Sequence, residues 1–294
     1  MSDFILSCCS CVDLPASYLE ERQIPAACYT YTIEDVPYTD DFGATISIEE
    51  FYKKIDNGAM PTTSQINLIE FIEYFEPFVK EGHDILHLAF SSGLSGTANN
   101  AIMAANELME KYPDRKIYVV DSLCASSGYG LFVDVVYNKI QSGVSLEEAY
   151  QFAEDIKLNI NHWFYTTDLT HLKRGGRVSP AACAIGNLIN LCPFLQVDHE
   201  GHLTVKSKIR GKKKAAKEAL NTMIERCDNG LDYDQQVFVS NSGCPEDAEY
   251  LISLIKETFP KVKKIELYDI GVIVGSHTGR GTVALFFLGK ARNQ

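Results

Sequence analysis

Residues 84–97 read DILHLAFSSGLSGT. Asp84 to Phe90 is a short apolar run of strand length, the pattern of a strand buried inside a sheet. Ser91 to Thr97 follows with two glycines and four hydroxyls, on Ser91, Ser92, Ser95 and Thr97. An Ala- and Met-rich helical pattern then spans Ser95 to Lys111. A strand that passes through a Gly/Ser turn into a helix is the repeating unit of a parallel α/β sheet. In such sheets the turn lies at the carboxyl end of the strand, where ligands bind.

The segments around it keep the same rhythm. Phe4 to Leu6, Ala27 to Ile33 (ACYTYTI) and Lys116 to Val120 (KIYVV) read as strands. Ile48 to Ile55, Leu68 to Val79, Gly128 to Gln141 and Leu146 to Ile156 read as helices by apolar spacing. Ser145, with Glu148 three residues on, forms a capping box before the last of these. After residue 160 the order changes. Strand patterns at Phe164 to Thr167, Phe194 to Asp198, Leu203 to Lys208, Gln236 to Ser240, Lys264 to Asp269 and Val283 to Leu288 surround helices at Lys213 to Cys227 and Pro245 to Thr258. Asp198 to Gly201 (DHEG) reads as a hairpin turn. The expectation is an α/β chain in two lobes. One is a parallel-sheet α/β lobe over 1–160, the other an α+β lobe with a mixed sheet over 161–294. No Gly/Ser linker separates them, so the lobes pack closely and a ligand cleft between them is expected.

The 294 residues suit two domains at about 150 residues each. Charged residues at 22% and hydrophobic residues at 46% are those of a globular chain and exclude disorder as the main state. Against 39 Asp and Glu stand 27 Lys and Arg, a net charge of −12 that disfavours the phosphate backbone of nucleic acids. No apolar run reaches the roughly 18 residues of a membrane span. Met1 to Val12 has no basic leader region, so a cytoplasmic location without a targeting segment is expected. Cys8, Cys9 and Cys11 cluster near the start. A zinc site there needs further ligands, such as His83 or His87, but no second metal-type pair follows. Buried reduced thiols and no metal are the expectation.

Five segments carry chemistry. Ser91 to Thr97 offers hydroxyls and helix-start N–H groups to an anion, or a cap with solvated serines. A serine nucleophile there does not match the G-x-S-x-G elbow. Pro61-Thr62-Thr63-Ser64-Gln65 places three hydroxyls before a helix, as caps or as partners of the first segment. Leu172 to Arg177 sets Gly175 and Gly176 between Arg174 and Arg177, whose forks suit carboxylate or phosphate. Lys208 to Lys214 is the strongest basic run, with Arg210 and Lys212, for an acidic partner or simple solvation. Gly271 to Gly281 delivers His277 into what reads as a Gly-rich turn, for proton transfer or a carboxylate contact. Neither a P-loop nor a dinucleotide fingerprint is present in the sequence.

These segments, in this order, resemble the DegV family. Its pattern runs P-x-T-S-Q, S-S-x-L-S-G-T, L-x-x-L-x-x-G-G-R, a basic R-G-x-K-K and G-x-x-x-G-x-H-x-G-x-G. The matching stretches are Pro61 to Gln65, Ser91 to Thr97, Leu169 to Arg177, Arg210 to Lys213 and Gly271 to Gly281. The chain departs at its start. Cys8 to Pro15 (CCSCVDLP) stands where the family has T-D-S-x-x-D-L-P, with Cys9 in place of the acid. The resemblance implies a non-catalytic protein without a cofactor. It implies a long-chain fatty acid held between the lobes and presented to a separate kinase that phosphorylates its carboxylate. It implies Thr63, Ser92 and His277 at the carboxylate, with Ser64, Ser91 and Ser95 in support. Arg174, Arg177, Arg210 and Lys212 then favour an acyl-phosphate or dock the kinase. Two rival expectations are a carrier of another apolar ligand without a kinase, and a hydrolase using Ser92 or Ser95 with His277.

Overall fold

Strand β1 (Phe4–Cys9) is hydrogen-bonded in parallel to β2 (Ala26–Ala27) on one side and β6 (Asp84–Ala89) on the other. With β7 (Ile117–Asp121) beyond β6, they make a four-stranded all-parallel sheet in the order β2-β1-β6-β7. This computed structural model describes residues 4–178 and 191–292. The interior of β6 is buried without alternation, as its apolar run predicts. Helices α1 (Ala16–Glu21), α2 (Ile48–Asp56), α3 (Leu68–Lys80), α4 (Thr97–Lys111), α5 (Ser126–Ile140) and α6 (Leu146–Ile156) belong to this half. Both bonds of the capping box at Ser145 and Glu148 are made, fixing the start of α6.

The second sheet has six strands in the order β10-β9-β8-β13-β11-β12. They are β8 (Ile160–Tyr165), β9 (Leu191–Val197), β10 (Leu203–Arg210), β11 (Gln236–Asn241), β12 (Lys264–Asp269) and β13 (Val283–Leu288). The pairing β11–β12 is parallel and the rest are antiparallel, so the sheet is mixed. The hairpin turn joins β9 to β10, with Gly201 at φ 79°. Helices α7 (Thr170–Arg174), α8 (Lys212–Arg226), α9 (Pro245–Thr258) and α10 (Val272–Thr278) complete this half.

Alternation along β13 shows how the sheet is used. Val283, Leu285 and Phe287 face a core shared with α8 and α9. Ala284 and Phe286 face the core that continues into the other half. Helix α5 closes that side. Its first eight residues, Ser126 to Val133, are buried on every face. Gly128 is what lets it approach: a Cβ there would overlap Phe286 and the His162 ring.

Four details differ from the sequence reading. Ala27 to Ile33 is two strands, β2 and β3 (Thr30–Ile33), because the Tyr29 N–H leaves the sheet to donate to Ser10 Oγ at 3.1 Å. Strand β3 pairs with β4 (Val36–Thr39) and β5 (Thr62–Ser64) in a small antiparallel sheet that polar three- and four-residue strands do not announce. β8 starts at Ile160 rather than Phe164, since Asn161 and His162 are buried despite their polarity. Asn161 Nδ2 donates to the carbonyls of Asn159 and Lys290, which satisfies it. Finally, His277 lies in a helix, α10, and not in a turn.

Cys8, Cys9 and Cys11 are buried at and just beyond the end of β1. Burial pushes the Cys9 thiol up to about 12. His87 sits beside Cys9 among Phe71, Tyr74 and Phe75, and burial pushes it down to about 3. Among the described residues no group of three or more His, Cys, Asp or Glu is placed to hold a metal ion.

Asp13 follows this strand in a left-handed conformation, φ 50°. Its Oδ2 accepts from Ser126 Oγ at 2.5 Å, and the carboxylate also accepts the Gly271 N–H. One side chain thus joins the loop after β1, the start of α5 and the residue before α10. Burial raises its pKa from 3.8 to about 8, against the lowering effect of Ser126. The folded state therefore holds a proton that the unfolded chain releases near 3.8. The stability this group contributes is complete below that value and is lost as pH rises to about 8. In urea titrations the stability of the wild type relative to Asp13→Asn should decline steadily from pH 4 to pH 8. A constant difference across that range would contradict the buried, protonated carboxyl.

Candidate ligand-binding site

The two halves meet around a cavity of about 290 Å³. That is near the lower edge of the range for small-molecule pockets. Its body is apolar, built from side chains such as Phe90, Phe164, Ile273, Val274, Ala284 and Phe286. Thr63, Ser95, Arg177 and His277 also line it and mark one polar end.

That polar end is assembled from four segments tied together by side chain-to-backbone bonds. Strand β5 carries Thr63, and its continuation is pinned to α4. Ile66 N–H donates to Thr97 Oγ1 at 3.3 Å, and Asn100 Nδ2 donates to Ile66 O at 2.8 Å. The turn before α4 carries Ser95, whose Oγ lies 2.9 Å from Thr97 Oγ1 and accepts from Tyr29 OH at 3.5 Å. The Gly-rich turn after α7 carries Arg177, whose Nε and Nη2 donate to Leu94 O at 3.1 and 2.9 Å. Arg174, also of α7, donates through Nη2 to Pro61 O at 2.7 Å and to Ser276 O at 3.3 Å. Helix α10 brings His277, whose Nε2 lies 2.8 Å from Thr63 Oγ1.

The electrostatics follow from this packing. Burial lowers the His277 pKa to about 4, helped by the positive charge of Arg177 and Arg174, so the ring is neutral near pH 7. Burial also lowers the pKa of Arg177, which nevertheless keeps its charge. The end therefore offers hydroxyls, a neutral imidazole and one guanidinium, a donor set for an anion. Elsewhere in the wall, His162 Nε2 accepts the Ala125 N–H at 3.2 Å while Nδ1 lies 2.9 Å from Ile160 O. An acceptor at Nε2 and a donor at Nδ1 define one neutral tautomer, so that ring is a fixed wall.

The sequence-predicted residues divide. Thr63, Ser95, Arg177 and His277 come together at the cavity. Ser92 is exposed, and its N–H donates to Asp121 Oδ1 at 3.0 Å; it is not among the lining residues. Ser91 is buried and donates to Gly201 O at 2.9 Å, bracing the turn against the β9–β10 hairpin. Ser64 is exposed on β5. Arg174 braces the cavity's rim through carbonyls. Arg210 is exposed at the end of β10, and Lys212 is paired with Asp247 at 2.6 Å. Gln65, His162 and Ser126 line the cavity without having been singled out for it. Of these, Gln65 had a signal, since it closes the P-x-T-S-Q pattern.

Gly175 explains one glycine of the pair between the arginines. A Cβ there would overlap His277 Nδ1. Gly175→Ala should displace the ring, break its contact with Thr63 and raise its titration from about 4 toward 6.5. The histidine resonances in a pH series report this, and an unchanged titration in a folded variant would contradict the packing.

The family described as uncharacterised protein, DegV family, matches residues 9–290, and the chain belongs to it. A DegV domain-containing protein of Clostridium perfringens is 41% identical over 292 residues, covering 99% of each chain. A solved structure described as fatty acid binding of a DegV family protein from Thermus thermophilus is 27% identical. It superposes with a TM-score of 0.85 and covers 98% of this chain and 99% of that one. The Streptococcus pneumoniae fatty acid kinase (Fak) B3 protein, loaded with linoleic acid, shares the fold at 21% identity. Its TM-score is 0.82, covering 99% of this chain and all of the other.

Proposed function

We propose that this protein binds a long-chain fatty acid, with the acyl chain in the cavity and the carboxylate at Thr63, Ser95, Arg177 and His277. The observation that carries the reading is a largely apolar cavity at which two hydroxyls, a neutral imidazole and a guanidinium come together. For Thr63 to donate to a carboxylate, its oxygen must accept from His277 Nε2–H. The neutral imidazole supplies that donor, and Arg177 supplies the compensating charge. Each buried methylene contributes about 0.8 kcal/mol, so a sixteen-carbon chain gains roughly 10 kcal/mol before ordering costs. The fatty acid binding named for the Thermus relative supports the same ligand class.

The protein then acts as a carrier without a catalytic step of its own, in the cytoplasm. Its lobes, 1–160 and 161–294, hold the acid between them. It offers the carboxylate to a partner kinase for conversion to acyl-phosphate. Arg174 lies beside that end, and Arg210 and Lys212 form the exposed basic surface offered to the partner. The hydrolase reading is weaker, because the hydroxyl in contact with His277 belongs to Thr63 and not to a serine.

Protein purified from a bacterial host, denatured and extracted should yield about one fatty acid per chain by mass spectrometry. Thr63→Val combined with Ser95→Ala removes two hydrogen bonds to a charged group, each worth roughly 1.5–3 kcal/mol. Affinity for a fluorescent fatty acid should fall by at least about 100-fold with little change in melting temperature, while Ser92→Ala should bind as the wild type does. An extract without fatty acid, or full affinity in the double variant, would refute the assignment.

A further inference from the structure

Thr282 stands apart from the other polar side chains of the cavity wall. It is 1% exposed, lines the cavity, and its Oγ1 has no hydrogen-bond partner. Its backbone is satisfied without it: the N–H donates to Ser242 Oγ at 2.8 Å and the carbonyl accepts from Ser242 N at 2.9 Å. Three other polar side chains of the wall are engaged. Ser126 donates to Asp13, His162 bonds Ile160 and Ala125, and Thr278 Oγ1 donates to Gly279 O. Thr282, Ala284 and Phe286 all line the cavity, the period-two spacing of one strand face. Thr282 is therefore the polar residue on an otherwise apolar face of β13 and its approach. A buried hydroxyl left unpaired is costly, and valine has the same shape without that cost.

We infer that the cavity takes an oxygenated acyl chain, with a hydroxyl or oxo group on the hydrocarbon bonded to Thr282 Oγ1. This deepens the fatty-acid reading and rests on it. A threonine hydroxyl both donates and accepts, so it pairs with either an alcohol or a ketone. A site built around such a hydrogen bond discriminates strongly against the chain that lacks it, because the protein group is then left unpaired. The same hydroxyl explains no preference among plain saturated chains, which meet it with methylenes at every position.

The test is competition against a fluorescent fatty acid with octadecanoic acid and a panel of its positional hydroxy and oxo derivatives. On the delipidated wild type, one positional isomer should bind at least about fivefold tighter than octadecanoic acid. In Thr282→Val that ratio should collapse to about one, and in Thr282→Ser it should return in part. Melting curves establish that each variant is folded. If octadecanoic acid binds but no derivative exceeds it, or if the preference survives in Thr282→Val, this inference fails while the carrier reading stands. A water held on Thr282 gives that same loss of preference. If neither octadecanoic acid nor any derivative binds, the carrier reading fails and takes this one with it.

Discussion

The cavity depends on two arginines that spend their donors on backbone carbonyls. Arg174 reaches Pro61 and Ser276, and Arg177 reaches Leu94. The accepting carbonyls belong to β5's approach, to helix α10 and to the turn before α4. Hydrogen bonds from a charged donor are among the stronger ones, and the planar guanidinium fixes their directions. Loops from both sheets are thereby held in one arrangement, and Thr63, Ser95 and His277 are carried on the segments so held. The rim is pre-organised, which lowers what a ligand must lose in ordering it.

Helix α5 supplies the complementary constraint. It packs under the parallel sheet and against the face of the six-stranded sheet that lines the cavity. Asp13 fixes where it begins, and the absence of a side chain at Gly128 sets how close it comes. The wall and the rim are thus built by different parts of the chain. A substitution that loosens the rim need not disturb the wall.

Much of this was legible in the sequence because the deciding elements are apolar and periodic. The run through Asp84 to Phe90, the helix after it and the capping box at Ser145 each state their structure locally. The small sheet was not legible, since TTS in β5 has no apolar alternation to betray pairing with Thr30 to Thr32. Helix α10 was hidden by the glycines in and around it, which read as a turn; Gly275, the one inside the helix, is where α10 packs closely on Tyr52 and Phe51. The choice between Ser92 and Ser95 was not in the sequence either. Both are hydroxyls in one turn, and only the path of the chain into α4 turns Ser95 inward while Ser92 faces solvent. The two arginines looked alike in the same way. Both brace carbonyls, and packing alone makes Arg177 line the cavity as well, which Arg174 does not.

The central claim is the proposed placement of the acid: carboxylate at the arginine-braced rim, acyl chain among the apolar side chains of the cavity. A crystal structure with an ω-bromo fatty acid, using the bromine's anomalous signal, tests it directly. The account predicts an anomalous peak inside the cavity, away from Thr63, and a carboxylate within hydrogen-bond reach of Thr63 and Ser95. A bromine beside Thr63, or an acid bound outside this cavity, would contradict it.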